Sequence, residues 1–70
     1  MADQNIAFNV EGMISEDAAE SINNSLTMLN GVVDVIIDIN AKRVVVEFDE
    51  ERLSAEIIKG TIEDAGFEVK

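Results

Sequence analysis

Cysteine and histidine, the residues that most often hold soft metals or carry nucleophilic chemistry, are both absent from this sequence. Without them there is no thiolate and no imidazole, so both common structural zinc ligands are missing. No nucleophile stands paired with a base, and no enzyme is expected. The stretch Glu11-Gly12-Met13-Ile14-Ser15-Glu16-Asp17 brings three carboxylates close in sequence. Glu11, Glu16 and Asp17 offer hard oxygens of the kind that hold Ca²⁺ or Mg²⁺. Their spacing follows no calcium loop, and acids at a helix start ordinarily complement the helix dipole. A loose cation contact is the most they offer. Met13 supplies the one soft atom of the stretch, a thioether that is a single weak donor.

Charge narrows the partners. Fifteen acidic residues against five basic ones give a formal net charge of −10. Nucleic acid and anionic membrane surfaces repel such a chain, while cations and basic proteins are attracted. High net charge also opposes self-association, so a monomer is expected. No segment approaches the ~18 apolar residues of a membrane span, Met1–Asn5 does not read as a signal peptide, and the cytoplasm is the default compartment. The absence of cysteine leaves the redox setting open.

These residues must be held by a small fold. Seventy residues are expected to make one domain, 1–70, with a single core. A chain of this size buries only about 60% of its unfolded surface, and no disulfide can form, so packing has to suffice. An apolar fraction of 47% makes that credible.

Ile6, Phe8 and Val10 alternate with polar residues, the pattern of a half-buried strand over 5–11. Gly12 breaks the run. Ser15 then stands where a helix N-cap belongs, followed by Glu16 and Asp17 in the first turn. Ala19, Ile22, Leu26 and Leu29 recur at helical spacing within 16–29, and Asn30-Gly31 stops the helix. Period two returns from Val33, with Val35, Ile37 and Ile39 facing one way and Asp34, Ile36 and Asp38 the other. Val44, Val46 and Phe48 continue it after the short connection Asn40–Lys42, predicting a hairpin of strands 32–39 and 43–49. Ser54 is the expected cap of a second helix over 54–65, whose buried side is read as Leu53, Ile57, Ile58, Ile62 and Ala65. Gly60 inside it costs up to ~1 kcal/mol relative to alanine; close packing against a strand would account for it. Gly66 ends the helix, and Phe67 and Val69 form a last strand within 67–70.

The order β-α-β-β-α-β is the split βαβ, or ferredoxin-like, arrangement of the α+β class. Right-handed crossovers place both helices on one face of a four-stranded antiparallel sheet and leave the other face open.

Residues 6–69 resemble the heavy-metal-associated domain family, which includes small copper chaperones, the mercury-binding periplasmic protein and amino-terminal modules of copper-transporting P-type ATPases. The family's first strand leads into a Gly-Met-x-Cys-x-x-Cys loop followed by a helix. The corresponding stretch here is Gly12-Met13-Ile14-Ser15-Glu16-Asp17-Ala18. Further similarity lies in Leu29-Asn30-Gly31-Val32, in Val44-Val45-Val46-Glu47-Phe48-Asp49 and in Ile62-Glu63-Asp64-Ala65-Gly66-Phe67. The resemblance implies the ferredoxin-like fold and a metal loop at Gly12, Met13, Ser15 and Ala18, with Phe67 as its neighbour.

The departure falls on the chemistry. Both cysteine positions are changed, to Ser15 and Ala18. In the family two thiolates hold Cu(I) or another soft ion, and the helix N-terminus lowers their pKa. A serine hydroxyl is a neutral, hard donor, and alanine donates nothing. No metal site and no cofactor are therefore expected. By the same resemblance, Met13 tucks into the core to brace the loop and Phe67 packs near it.

On the open face, Ala7, Val45 and Ile36 are expected to be neighbours, if strand order is the family's. Three apolar side chains make a patch smaller than most binding sites. RNA-binding modules of this fold display aromatics there, which this sequence does not, and acylphosphatase-like chemistry needs an arginine its first loop lacks. Two functions remain. The chain is a degenerate metal-handling module, whose acidic residues Glu16, Asp17, Glu20, Glu63 and Asp64 near the former metal end dock weakly to a basic protein domain of the same fold. Alternatively it is a deliberately cysteine-free or designed variant serving as a metal-free scaffold.

Overall fold

A computed structural model describes residues 3–70, so the start of the Met1–Asn5 stretch, Met1 and Ala2, lies outside the described residues. The elements follow the order β1 (Asp3–Glu11), α1 (Glu16–Thr27), β2 (Val32–Asp38), β3 (Arg43–Asp49), α2 (Ala55–Asp64) and β4 (Glu68–Val69). The strands form one sheet in the order β2-β3-β1-β4, with every pairing antiparallel.

Alternation along the strands sends Phe8 and Val10 of β1, and Val44, Val46 and Phe48 of β3, to one face. There they meet Ile22 and Leu26 of α1 and Ile58 and Ile62 of α2 in a single core. Both helices therefore cover the same face of the sheet. Each fully buried aliphatic side chain of this kind contributes roughly 1.5–3 kcal/mol. No polar or charged residue is buried among the described residues.

Both helices start as their sequences specify. Ser15 and Ser54 are extended, and their hydroxyls accept the backbone N–H groups of Ala18 at 3.2 Å and Ile57 at 3.3 Å. Gly31 follows the first helix at φ +115°, where a Cβ would lie 2.9 Å from the Cβ of Arg52. Its carbonyl accepts the Asp49 N–H at 2.8 Å, tying the helix exit to the end of β3. A side chain there would be strained and would force Arg52 to shift.

Three expectations need correction. Strict alternation from Val33 fails, because the β2–β3 register shifts between Val32 and Asp34. The bulge leaves Val32 half-buried against the core and Val33 exposed, and alternation resumes only from Asp34. Ile57 is not on the buried side of α2: it is 49% exposed, while Ile58 and Ile62 one and five positions on are fully covered. Nor is Gly60 explained by a close approach, since a Cβ there would meet nothing within 4 Å.

Candidate functional site

The loop from Glu11 to Ser15 joins β1 to α1 at one pole of the molecule. Gly12 takes φ +88°, turning the chain out of the strand, and its carbonyl accepts the Ile14 N–H at 3.0 Å. This tight turn splits the two apolar residues that follow. Met13 points inward and is 0% exposed, whereas Ile14 is 75% exposed at the tip. The thioether is thus spent on core packing, with no route to a ligand in solvent.

Ser15 and Ala18 are three apart at a helix start, a spacing that puts both on one face. Here that juxtaposition is made by a hydrogen bond: the Ser15 hydroxyl accepts the Ala18 N–H. The Ser15 carbonyl also accepts the Ala19 N–H at 3.1 Å, the first regular bond of α1. Ala18 is half-buried and packs against the core. The hydroxyl that replaces a potential ligand therefore serves as a cap.

The last strand closes the pole. Val10 pairs with Val69 and Glu11 with Glu68, so the start of β4 lies beside the end of β1. Phe67, just before β4, sits with Cδ1 3.7 Å from where a Gly12 Cβ would stand. It is half-buried and packs on the core. Lys70 reaches back twice, its N–H to the Asn9 carbonyl at 2.9 Å and its Nζ to Glu11 Oε1 at 3.7 Å. The sequence offers no periodic signal for this last pair; only the register of β1 with β4 creates it.

Since α2 ends two residues before Gly66 and β4 begins at the Glu11 end, Glu63 and Asp64 stand at the same pole as Glu16 and Asp17. All four are exposed. The carboxylates of Glu11, Glu16 and Asp17 do not converge: among the described residues no three His, Cys, Asp or Glu side chains are placed to hold a metal ion. No pocket opens at the loop or elsewhere among the described residues.

The chain belongs to the heavy-metal-associated domain family, whose model matches residues 7–68. It is 39% identical over 66 residues to the copper chaperone CopZ of Staphylococcus haemolyticus, covering 94% of this chain and 97% of that one. It is also 36% identical over 63 residues to a copper-transporting ATPase, HMA5, of Oryza sativa subsp. japonica, covering 90% of this chain but 6% of that far longer protein. Among solved structures, a CopZ metallochaperone superposes with a TM-score of 0.93 at 25% identity, over 96% of this chain and all of the other. A copper-binding domain of the P-type ATPase HMA7 superposes with a TM-score of 0.90 at 35% identity, over 94% and 89% of the two chains. The lineage is thus that of copper chaperones and copper-ATPase domains, and this member has no cysteine.

Proposed function

We propose that this chain, over 1–70, is a metal-handling domain without its metal donors, acting as a docking module for a more basic protein domain of the same fold. The observation that carries the reading is the Ser15–Ala18 contact. At the two positions where the family resemblance puts thiolates stand a hydroxyl engaged with a backbone N–H and a methyl group. Gly12, Met13 and Phe67 keep the loop's shape, so a partner that recognises the loop still meets a familiar surface. The exposed acids at the pole supply charge for a basic partner, and the relatives include both chaperones and transporter domains.

On this reading the chain has no catalytic activity and no resident cofactor; Cu(I) would be cargo in its relatives. It acts as a monomer in the cytoplasm, and no helix among the described residues is long and apolar enough to cross a membrane. Competition with a Cu(I) chelator tests the metal half of the proposal. The native chain should hold Cu(I) no more tightly than an unstructured methionine-containing peptide, and a stoichiometric, chelator-resistant complex overturns it.

Ser15 favours a second reading, since serine differs from cysteine only by oxygen for sulfur. A deliberately cysteine-free or designed variant would serve as a metal-free scaffold, sharing the same inertness to Cu(I). Docking to a basic domain of this fold separates the two, because a scaffold has no partner to meet.

A further inference from the structure

The sheet face turned away from the helices carries an apolar row bordered on one side by paired acids. Ile36, Val45 and Ala7 are successive cross-strand partners on β2, β3 and β1. Ile36 is 60% exposed. The adjoining row sets Asp34 directly opposite Glu47, and the next sets Asp3 opposite Asp49. Like charges directly opposite one another weaken a sheet. Arg52 lies 3.5 Å from Asp49 and offsets the outer pair. Among the described residues, no ion pair offsets the Asp34–Glu47 pair that borders the apolar row. Folding does not call for this arrangement, since Asp38 opposite Arg43 on the same face shows the favourable alternative.

We propose that this face binds a basic amphipathic helix of a partner protein, laid along the Ile36–Val45–Ala7 row with Lys or Arg side chains against Asp34 and Glu47. Spacing selects a helix. Neighbouring strands are about 4.8 Å apart, and helix side chains three or four residues apart recur at about 5–6 Å, whereas same-face side chains of a strand recur at nearly 7 Å. Charge selects a basic one: three apolar residues give too little area to hold a partner unaided, and the rim and the net charge of −10 supply the attraction. This surface is separate from the loop pole and does not depend on the docking proposed there.

The probe is a synthetic helical peptide of about 16 residues, with leucine at i, i+4 and i+8 and lysine or arginine flanking that stripe. It is titrated into the isotope-labelled 70-residue chain at low and at physiological salt. Saturable amide shifts centred on Ala7, Asp34, Ile36, Val45 and Glu47 are expected. Ile36→Ser should weaken binding by about five-fold or more through lost apolar contact. Asp34→Asn with Glu47→Gln should weaken it by about three-fold and flatten its salt dependence. Ala7→Arg, at an exposed site, repeats the test should Ile36→Ser disturb folding. The proposal is overturned by shifts centred on Met13–Glu20, by a scrambled peptide of equal composition binding as well, or by no saturable binding up to about 1 mM peptide.

Discussion

Ser15 and Ala18 are joined by a 3.2 Å hydrogen bond from the Ala18 N–H to the Ser15 hydroxyl. The helix start that would make two cysteines reactive here makes a serine a cap, because a free N–H attracts either an anionic sulfur or a neutral oxygen. Ser15→Ala should therefore destabilise the fold by about 1 kcal/mol without changing Cu(I) affinity. Urea denaturation beside chelator competition checks both halves; a drop in Cu(I) binding would mean that the hydroxyl is a ligand.

Restoring both thiols is the complementary change. Ser15→Cys with Ala18→Cys should create a tight, one-to-one Cu(I) site, since Gly12, the buried Met13 and Phe67 already shape the loop. Chelator competition and the thiolate-to-copper absorption band report it. Failure of the double variant to bind, with its fold intact, would place a second defect in the loop.

Two glycines should respond in opposite directions to alanine. Gly31→Ala meets both a left-handed backbone and a Cβ contact of 2.9 Å, so a loss of about 2 kcal/mol or more is expected. Gly60→Ala enters open space on a helix and should stabilise by up to about 1 kcal/mol. Thermal melts of the two variants read the contrast directly.

The methionines Met13 and Met28 differ as sharply. Met13 is 0% and Met28 84% exposed. Dilute peroxide should convert Met28 to its sulfoxide well before Met13, followed by mass spectrometry of the fragments. Met13→Ala should cost about 2–5 kcal/mol, as for other buried side chains, whereas Met28→Ser should be close to neutral.

Docking at the loop pole should be weak. Without a shared metal ion only exposed charge draws the partners together, so a dissociation constant on the order of 0.1–1 mM is expected, fading as salt rises. A basic copper chaperone of this fold, titrated into labelled protein, should shift Met13–Glu20 and Asp64–Phe67. No shifts at low salt would leave the scaffold reading standing.

Most of this architecture is legible in the chain because short-range signals agree with each other. Ser15 and Ser54 cap, Gly31 and Gly66 stop, and the alternating runs around Phe8 and Val46 are of one period. The neighbourhood of Ala7, Val45 and Ile36, expected from the family's strand order, is the observed register. What escaped depends on tertiary geometry. The bulge before Asp34 leaves no local mark, since Val32 and Val33 are the same residue. Ile57 is apolar yet sits at the border of the α2 stripe, where the angle of the helix on the sheet decides exposure. The Glu11–Lys70 pair joins opposite ends of the sequence and follows only from the pairing of β1 with β4. At the site, composition alone reveals that thiolates are missing, but not that the Ser15 hydroxyl is already engaged.

β1 runs the length of the molecule, with Asp3 opposite Asp49 at one extreme and Glu11 opposite Glu68 at the other. Its nine residues span about 27 Å at the usual rise. Anything tethered before Asp3 therefore leaves from the pole remote from the Gly12 loop. The strand β4, antiparallel to β1, also carries the chain away from that loop, with the Lys70 N–H already level with Asn9. A fluorophore or immobilisation tag on either side therefore leaves the loop accessible to an incoming domain, the amino-terminal one from the greater distance.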